Sequence, residues 1–250
     1  MELFLSDKGA MFKMSELQTR QLIAEPSGCC SYLIGSGEGF ILVDPLNDVE
    51  RFMKPVQAEG GKIVAVIDTH VHADHVSGSR DIQRLTGCAI YMHESSPVRF
   101  PFNPLEEKEY RLAGCKIRVL HTPGHAPEHV SLRVEDEAVL TGDTLLVRDV
   151  GRVDLGRGDA NQLYDSLFGK LLKLPDPVKV LPGHVGKAHF VSGDNSSTIG
   201  AERRMNPALQ AKSRKDFVGY MTEGWPPKPA HYEEYIKVNC GLTERGEAGL

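Results

Sequence analysis

Four times in this chain a short apolar run stops in a loop that carries histidine or aspartate, three of those loops with a glycine beside it: IVAVIDTHVHADH (63–75), CKIRVLHTPGH (115–125), AVLTGDT (138–144) and VKVLPGH (178–184). The first run is apolar without alternation. That is how a strand covered on both faces reads when its C-terminal end meets a polar site. A sheet scaffold can bring ligands from several strand ends to one point, and glycine lets the backbone turn tightly there. The pattern therefore demands sheets whose strand ends converge.

The densest loop is THVHADH. In an extended strand end, residues two apart point the same way, so His70 and His72 project together. Asp74 and His75 follow where the chain turns toward a helix and can face the same spot. A polar turn with incidental histidines is the blander reading, but four metal-competent side chains in seven residues exceed what turn chemistry requires. His125, Asp143 and His184 are the candidates on the later loops.

Around these loops the elements can be read in order. CCSYLIGSGEGFILVDP (29–45) is a hairpin turning at 35–39. Helical segments are expected at 48–58, closed by Gly60 and Gly61, and at 76–85, ending at Gly87. Strands follow in AIYMHE, CKIRVLHT, HVSLRV, AVLTGD and VKVLP. Residues 160–174 form an amphipathic helix with Leu163, Leu167, Leu171 and Leu174 on one face. From 195 the chain turns helical. Asn195, Ser196 or Ser197 caps one helix, Asn206-Pro207 breaks it and starts the next, 225–229 (WPPKP) is a stiff linker, 231–238 a last short helix, and the tail from 243 frays. With no strong linker before 195, residues 1–250 read as one domain of mixed sheet and helix, with a helical C-terminal segment at 195–250.

Composition narrows the class. A net charge of −5 argues against nucleic acid, which is bound through clustered Lys and Arg. The five cysteines are odd in number and form no C-x-x-C, so they are no disulfide framework and point to a reducing compartment. No stretch reads as a signal peptide or membrane span. The expectation is a cytoplasmic protein with no membrane partner; a homo-oligomer is compatible with the sequence.

HVHADH, TPGH, TGD and PGH, in this order, resemble the metallo-β-lactamase superfamily across residues 20–190. The resemblance implies an α/β (α+β) fold, the αββα four-layer sandwich, with metal at one edge of the sheets. GDTLLVRDVGRVDL (142–155), STIGAERRMNPALQ (197–210) and VNCGL (238–242) are similar to the persulfide dioxygenases, also called sulfur dioxygenases, and to their branch often fused to rhodanese domains. That family implies one Fe(II) per chain held by His70, His125 and Asp143. Such a facial triad leaves open positions on iron, and the implied reaction oxidises a persulfide, usually glutathione persulfide, with O2 to sulfite and thiol. His72, Asp74, His75 and His184 become outer partners or holders of an optional second metal. Asp44, at the end of FILVD, joins them or is a solvated carboxylate. A rival reading uses the same residues. In hydrolytic members of the glyoxalase II type, seven ligands hold two zinc ions and a bridging hydroxide attacks a thioester. A non-catalytic metal-binding domain is the third reading.

A glutathione carboxylate wants a cation, and Arg152, Arg148 and Lys187 are the candidates, with Asp154 a structural partner for Arg152. Arg203 and Arg204 read as surface cations. Two positions depart from the family: GHVGKAHF has no Tyr after the PGH histidine, and Ala208 stands where the relatives have Arg after Asn-Pro. A different low-molecular-weight persulfide is thereby left open. His93 and His129 read as packed or partner-bonded, His121 as near the site, His189 as facing either way, and Cys115 as a small buried hydrophobe. No Ser or Cys nucleophile motif is present.

Overall fold

The apolar runs become the strands of two stacked sheets. The structure is a computed structural model that describes residues 11–14, 17–25, 27–37, 39–155, 157–185, 195–222 and 224–244. The first sheet holds, in spatial order, β1 (Met11–Met14), β2 (Leu17–Ile23), β3 (Cys30–Ser36), β4 (Gly39–Val43), β5 (Lys62–Ile67), β6 (Ala89–His93) and β7 (Asn103–Leu105). The second is built from β8 (Glu109–Leu112), β9 (Cys115–His121), β10 (Val130–Val134) and β11 (Ala138–Gly142), then β14 (Lys179–Pro182) and β15 (Ser197–Thr198). Between them in sequence, β12 (Leu145–Leu146) and β13 (Asp149–Val150) make a small ribbon.

Side-chain alternation makes this a four-layer sandwich. Tyr32, Ile34, Ile41, Val43 and Ile67 of the first sheet meet Ile117, Val119, Leu132 and Leu140 of the second in one buried cluster. The alternate residues point outward. Leu33, Leu42 and Val66 pack under α1 (Val49–Ala58) and α2 (Ser79–Thr86) through Phe52, Val56 and Ile82. Val139 and Val180 pack under Leu163, Leu167, Leu171 and Phe217 from α3 (Ala160–Tyr164), the turns that continue it, and α5 (Arg214–Met221). Each fully buried aliphatic side chain contributes roughly 1.5–3 kcal/mol, so both faces of both sheets hold the layers together. Between α3 and α5 run α4 (Ile199–Met205) and a 3-10 turn at Pro207–Gln210. The last helix, α6 (Tyr232–Asn239), reaches back toward α2, and Arg80 donates to the Val238 carbonyl at 2.9 Å.

Strand direction explains where the polar loops gather. β4, β5 and β6 pair in parallel, so their C-terminal ends share one edge. In the second sheet β9 and β11 both run antiparallel to β10, and β14 runs parallel to β11. The ends of β9, β11 and β14 therefore also share an edge. Cross-sheet hydrogen bonds stitch the two edges together: Val130 N to Thr69 O at 2.9 Å, Cys30 N to Gly183 O at 2.8 Å and Val185 N to Gly28 O at 2.8 Å.

Several expected elements shift. The helix read at 76–85 starts only at Ser79, because Ser77 bridges Leu46 and a Cβ on Gly78 would stand 2.3 Å from the Leu46 carbonyl. The helix read at 160–174 is α only to Tyr164. It continues as a π turn, Asp165–Lys170, and a 3-10 turn, Leu171–Lys173. Leucines four residues apart overshoot a 3.6-residue turn, and the wider π turn brings Leu163, Leu167 and Leu171 back into line over the sheet. Residues 197 and 198 pair with β14 before α4 begins, and Thr198 caps that helix by accepting from Ala201 N. Asn206 caps the following turn, as the Asn-Pro pair predicts. The read tail lies largely beyond the described residues. No helix among the described residues is long and apolar enough to cross a membrane.

Candidate metal centre

His70 leaves the end of β5 almost fully buried, and its Nε2 has no hydrogen-bond partner. Facing it are His125 from the loop after β9 and Asp143 from the loop after β11. Asp143 Oδ2 stands 3.9 Å from His70 Nε2 and 3.7 Å from His125 Nε2. The three donor atoms lie within 4.8 Å of one another. Ligands about 2.1 Å from a shared cation stand roughly 3–3.5 Å apart, so a slight closing would seat an ion. A buried ring nitrogen without a partner is costly, and a cation is the partner this geometry fits.

The ring nitrogens behind the site fix the tautomers. His125 Nδ1 donates to the Arg152 carbonyl at 2.8 Å, so its Nε2 carries the lone pair. Thr69 donates its hydroxyl to Asp44 Oδ2 at 2.8 Å and, 3.0 Å from His70 Nδ1, accepts from that ring. Asp44 is held with a positive φ of 50° and also accepts from Thr69 N at 2.7 Å. The reading of Asp44 as a solvated carboxylate is therefore replaced by a buried anchor, 4% exposed. Burial, then the neighbouring His72, His125 and His129, hold His70 well below the usual imidazole range and keep it neutral. Burial alone would raise Asp143, but the His184 and His125 imidazoles beside it hold the carboxyl below the usual carboxylate range.

The remaining histidines of the motif face other partners. His72 Nε2 points at Asp44 Oδ1, 3.2 Å away, while its Nδ1 is buried with no hydrogen-bond partner. Burial and His75 pull His72 down, yet Asp44 carries it above its ordinary value. His184 bridges two carboxylates, with Nδ1 2.7 Å from Asp143 Oδ1 and Nε2 2.9 Å from Asp74 Oδ2. His75 Nδ1 lies 3.2 Å from the same Asp74 oxygen. Gly183 is needed here, since a Cβ would come within 2.6 Å of Asp143 Oδ1.

His129, read as partner-bonded, supports the centre from behind. Its Nε2 accepts from Asp143 N at 3.0 Å, and its Nδ1 donates toward the Thr122 and Thr144 hydroxyls, each 3.0 Å away. Burial, with His125 beside it, pushes His129 down to about 3, which keeps Nε2 free to accept. Gly142, at φ 45°, passes under this ring where a Cβ would stand 2.5 Å from Nε2.

Beside the triad opens a cleft of about 710 Å³, floored by Asp74, His125, Asp143 and His184 and walled by Leu146, Val150, Leu155 and the Trp-Pro segment. Arg152 lines it, but its guanidinium forms a two-point pair with Asp154 at 2.7 and 2.9 Å and donates to the Pro226 and Pro227 carbonyls. The pair read as structural is thus observed, and the segment read as a linker becomes a wall of the cleft. Arg148 sits exposed at the tip of the β12–β13 ribbon, away from the cleft lining. Lys187 and His189 lie outside the described residues. Ala208 is buried against the outer helices. Cys115 is buried between the sheets, as expected.

Four residues near the centre were given no role there by the sequence. Asn239, at the end of α6, donates to the His72 and His75 carbonyls at 2.9 and 2.8 Å and accepts from Ser77 N, clamping the THVHADH loop. Glu202 and Asn206 grip the β12–β13 ribbon through Arg148 N and the Asp149 carbonyl, which gives STIGAERRMNPALQ its role behind GDTLLVRD. Cys29 lies against Asp74, with its Sγ 3.0 Å from Oδ2.

Comparison with known proteins agrees with this fold. Residues 24–184 match the family profile of the metallo-β-lactamase superfamily. The human mitochondrial persulfide dioxygenase ETHE1 is 31% identical over 226 residues, covering 87% of this chain and 87% of the relative. ETHE1 from Myxococcus xanthus superposes with a TM-score of 0.83 at 33% identity, over 90% of this chain and 98% of that one. The hydroxyacylglutathione hydrolase GloC of Haemophilus influenzae is 28% identical over 208 residues, 74% of this chain and 93% of its own length.

Proposed function

Because the chain belongs to the metallo-β-lactamase superfamily and, within it, to the persulfide dioxygenase family, we propose that it is an Fe(II) enzyme oxidising a low-molecular-weight persulfide. The net reaction is RSSH + O2 + H2O giving RSH, sulfite and two protons. His70 Nε2, His125 Nε2 and Asp143 Oδ2 are the residues that would hold the iron. Bound there, iron(II) supplies open positions at which a persulfide sulfur and dioxygen are brought together.

The chain's own residues prepare that site. The Arg152 carbonyl and the Thr69 hydroxyl hold His125 and His70 with their Nε2 lone pairs forward. His184 keeps a proton on Nδ1 against Asp143 Oδ1, leaving Oδ2 to face the two imidazoles. The wall of Leu146, Val150 and Trp225 shields the thiol carrier from water. The same reading treats residues 1–250 as one domain in which the segment from 195 onward braces the site, in a reducing compartment that suits five unpaired cysteines.

The observation that carries the reading is the buried triad of two imidazoles and one carboxylate, His70, His125 and Asp143, with donor atoms within 4.8 Å of one another and an open cleft beside it. A two-metal thioesterase would draw on the same residues, so metal content and oxygen uptake separate the two. Anaerobically purified protein should hold about one iron per chain and consume O2 only when persulfide is added. Thioester hydrolysis without oxygen consumption, on a triad filled by zinc, would overturn the assignment.

A further inference from the structure

One buried carboxylate ties the loop of His125 to the loop of His70, and nothing above gives it a role. Glu128 follows His125 in the loop after β9, directly before His129, and is 0% exposed. Its side chain crosses to the other sheet, where Oε1 accepts from Val71 N at 3.1 Å. Val71 stands between His70 and His72, and its side chain packs with Ile90, Met92 and Cys240. On the other side of His70, Val130 N donates to the Thr69 carbonyl at 2.9 Å. Both chain neighbours of His70 are thus gripped by the segment 128–130. A buried carboxylate needs a counter-charge, and Arg157 supplies it, with Nη2 3.0 Å from Oε2 and Nη1 3.4 Å from Oε1. The segment around Arg157 also holds the His125 loop through its backbone: Asp159 N donates to the Gly124 carbonyl at 2.7 Å, and the Arg152 carbonyl accepts from His125 Nδ1.

We propose that Glu128, held by Arg157, is a positioning residue that sets His70 against His125 and so governs how tightly, and in what geometry, the triad binds its metal. The two imidazoles come from different sheets, and their separation depends on what joins the sheets at this edge. A metal site tolerates only about 0.2 Å of error in each bond, so the bonds that link the two loops directly decide the fit. The bond from Val71 N ends on a charged carboxylate and is stronger than a bond between neutral groups. Arg157 takes Oε2 at the shorter distance and leaves Oε1 to Val71. Glu128 is not among the residues that line the cleft, so it acts through the backbone of Val71 rather than on substrate. The inference rests on the triad being the metal centre, as proposed above, and not on the reaction run there.

The test loads the full chain with cobalt(II), whose visible absorption reports ligand geometry, and in parallel measures iron retention against a chelator. Bands that survive in His70→Ala arise elsewhere and are subtracted. Glu128→Leu should shift the remaining bands and weaken iron retention roughly 10–100-fold. Glu128→Gln can still accept from Val71 N and should recover most of both. Arg157→Met strands the buried carboxylate and should fall between the two. Added to Glu128→Gln, it should cost nothing further, because the amide needs no cation. Val56→Ala, which empties space under α1, loses stability and should leave the bands where they are. Wild-type bands and iron retention in folded Glu128→Leu overturn the proposal, as does an equal shift in Val56→Ala. Where Glu128→Leu does not fold, Arg157→Met decides, and wild-type bands and retention in that variant overturn it. Failure of the persulfide reading shows separately, as absent oxygen uptake in a wild type that keeps its iron and its bands.

Discussion

Two pairs of histidines in this molecule look alike until their nitrogens are followed. His70 and His125 sit at the strand-end edge with ring centroids 4.9 Å apart. His93 and His121, on the flank where β6 and β9 end, stack at 4.0 Å and 13°. His70, His125 and His93 are all buried. His93 Nδ1 is bonded to the Ser95 hydroxyl at 2.7 Å, and His121 Nε2 donates to the Pro127 carbonyl at 2.8 Å. In the first pair the bonded nitrogen is the rear one, and the forward lone pairs converge on Asp143. What marks a metal centre is therefore the free nitrogen facing a carboxylate, not burial or ring contact.

The largest effect that sharpens this contrast is removal of the shared carboxylate. Asp143→Ala should lose its iron and its persulfide-dependent oxygen uptake, by more than the roughly 10–100-fold typical of an outer partner. His121→Asn should keep both. Full iron occupancy in Asp143→Ala, measured by elemental analysis, would refute the ligand assignment. Next comes Thr69→Val, which keeps the shape but removes the hydroxyl between Asp44 and His70 Nδ1. Iron affinity should fall roughly 10–100-fold, with the fold intact by circular dichroism. An unchanged affinity would mean that the rear bond does not hold the tautomer.

The candidate metal residues stood out in the sequence because His and Asp recur in loops at strand ends, and strand direction then brings those ends together. The strands were legible because apolar runs mark buried strands; their αββα layering was implied by the family resemblance and not by the runs themselves. The rest depends on distance along the chain. Cys29 meets Asp74 across 45 residues and Asn239 meets His72 across 167, and neither pairing leaves a local pattern. β7 and β8 leave little signal in the sequence because they are short and largely exposed and carry no unbroken apolar run. Arg152, the cation expected to meet substrate, lines the cleft, but its guanidinium turns to Asp154 and to the proline carbonyls. Arg152→Lys keeps the charge and loses the two-point pair. It should loosen the Trp225 wall, raising KM several-fold with kcat changed less. A fall in kcat alone would place Arg152 in the chemistry instead.

The smallest effect lies in the stacked pair and reads as stability rather than activity. Burial, then the adjacent His121, pushes His93 down to about 4 from an ordinary 6.5. Between those values the unfolded chain holds a proton that the folded chain does not. Stability from this group is therefore present above pH 6.5 and lost as pH falls toward 4. Solvent at the rim of the pair screens the effect, which leaves about 1–2 kcal/mol. His93→Gln cannot titrate and can still accept from Ser95. Denaturant unfolding of wild type should show the steeper loss across that window, and the variant the flatter one. Parallel curves would mean that His93 is not held neutral by its surroundings. Iron content should be the same in both proteins across the upper part of that range, because neither ring of this pair turns a lone pair toward the metal centre.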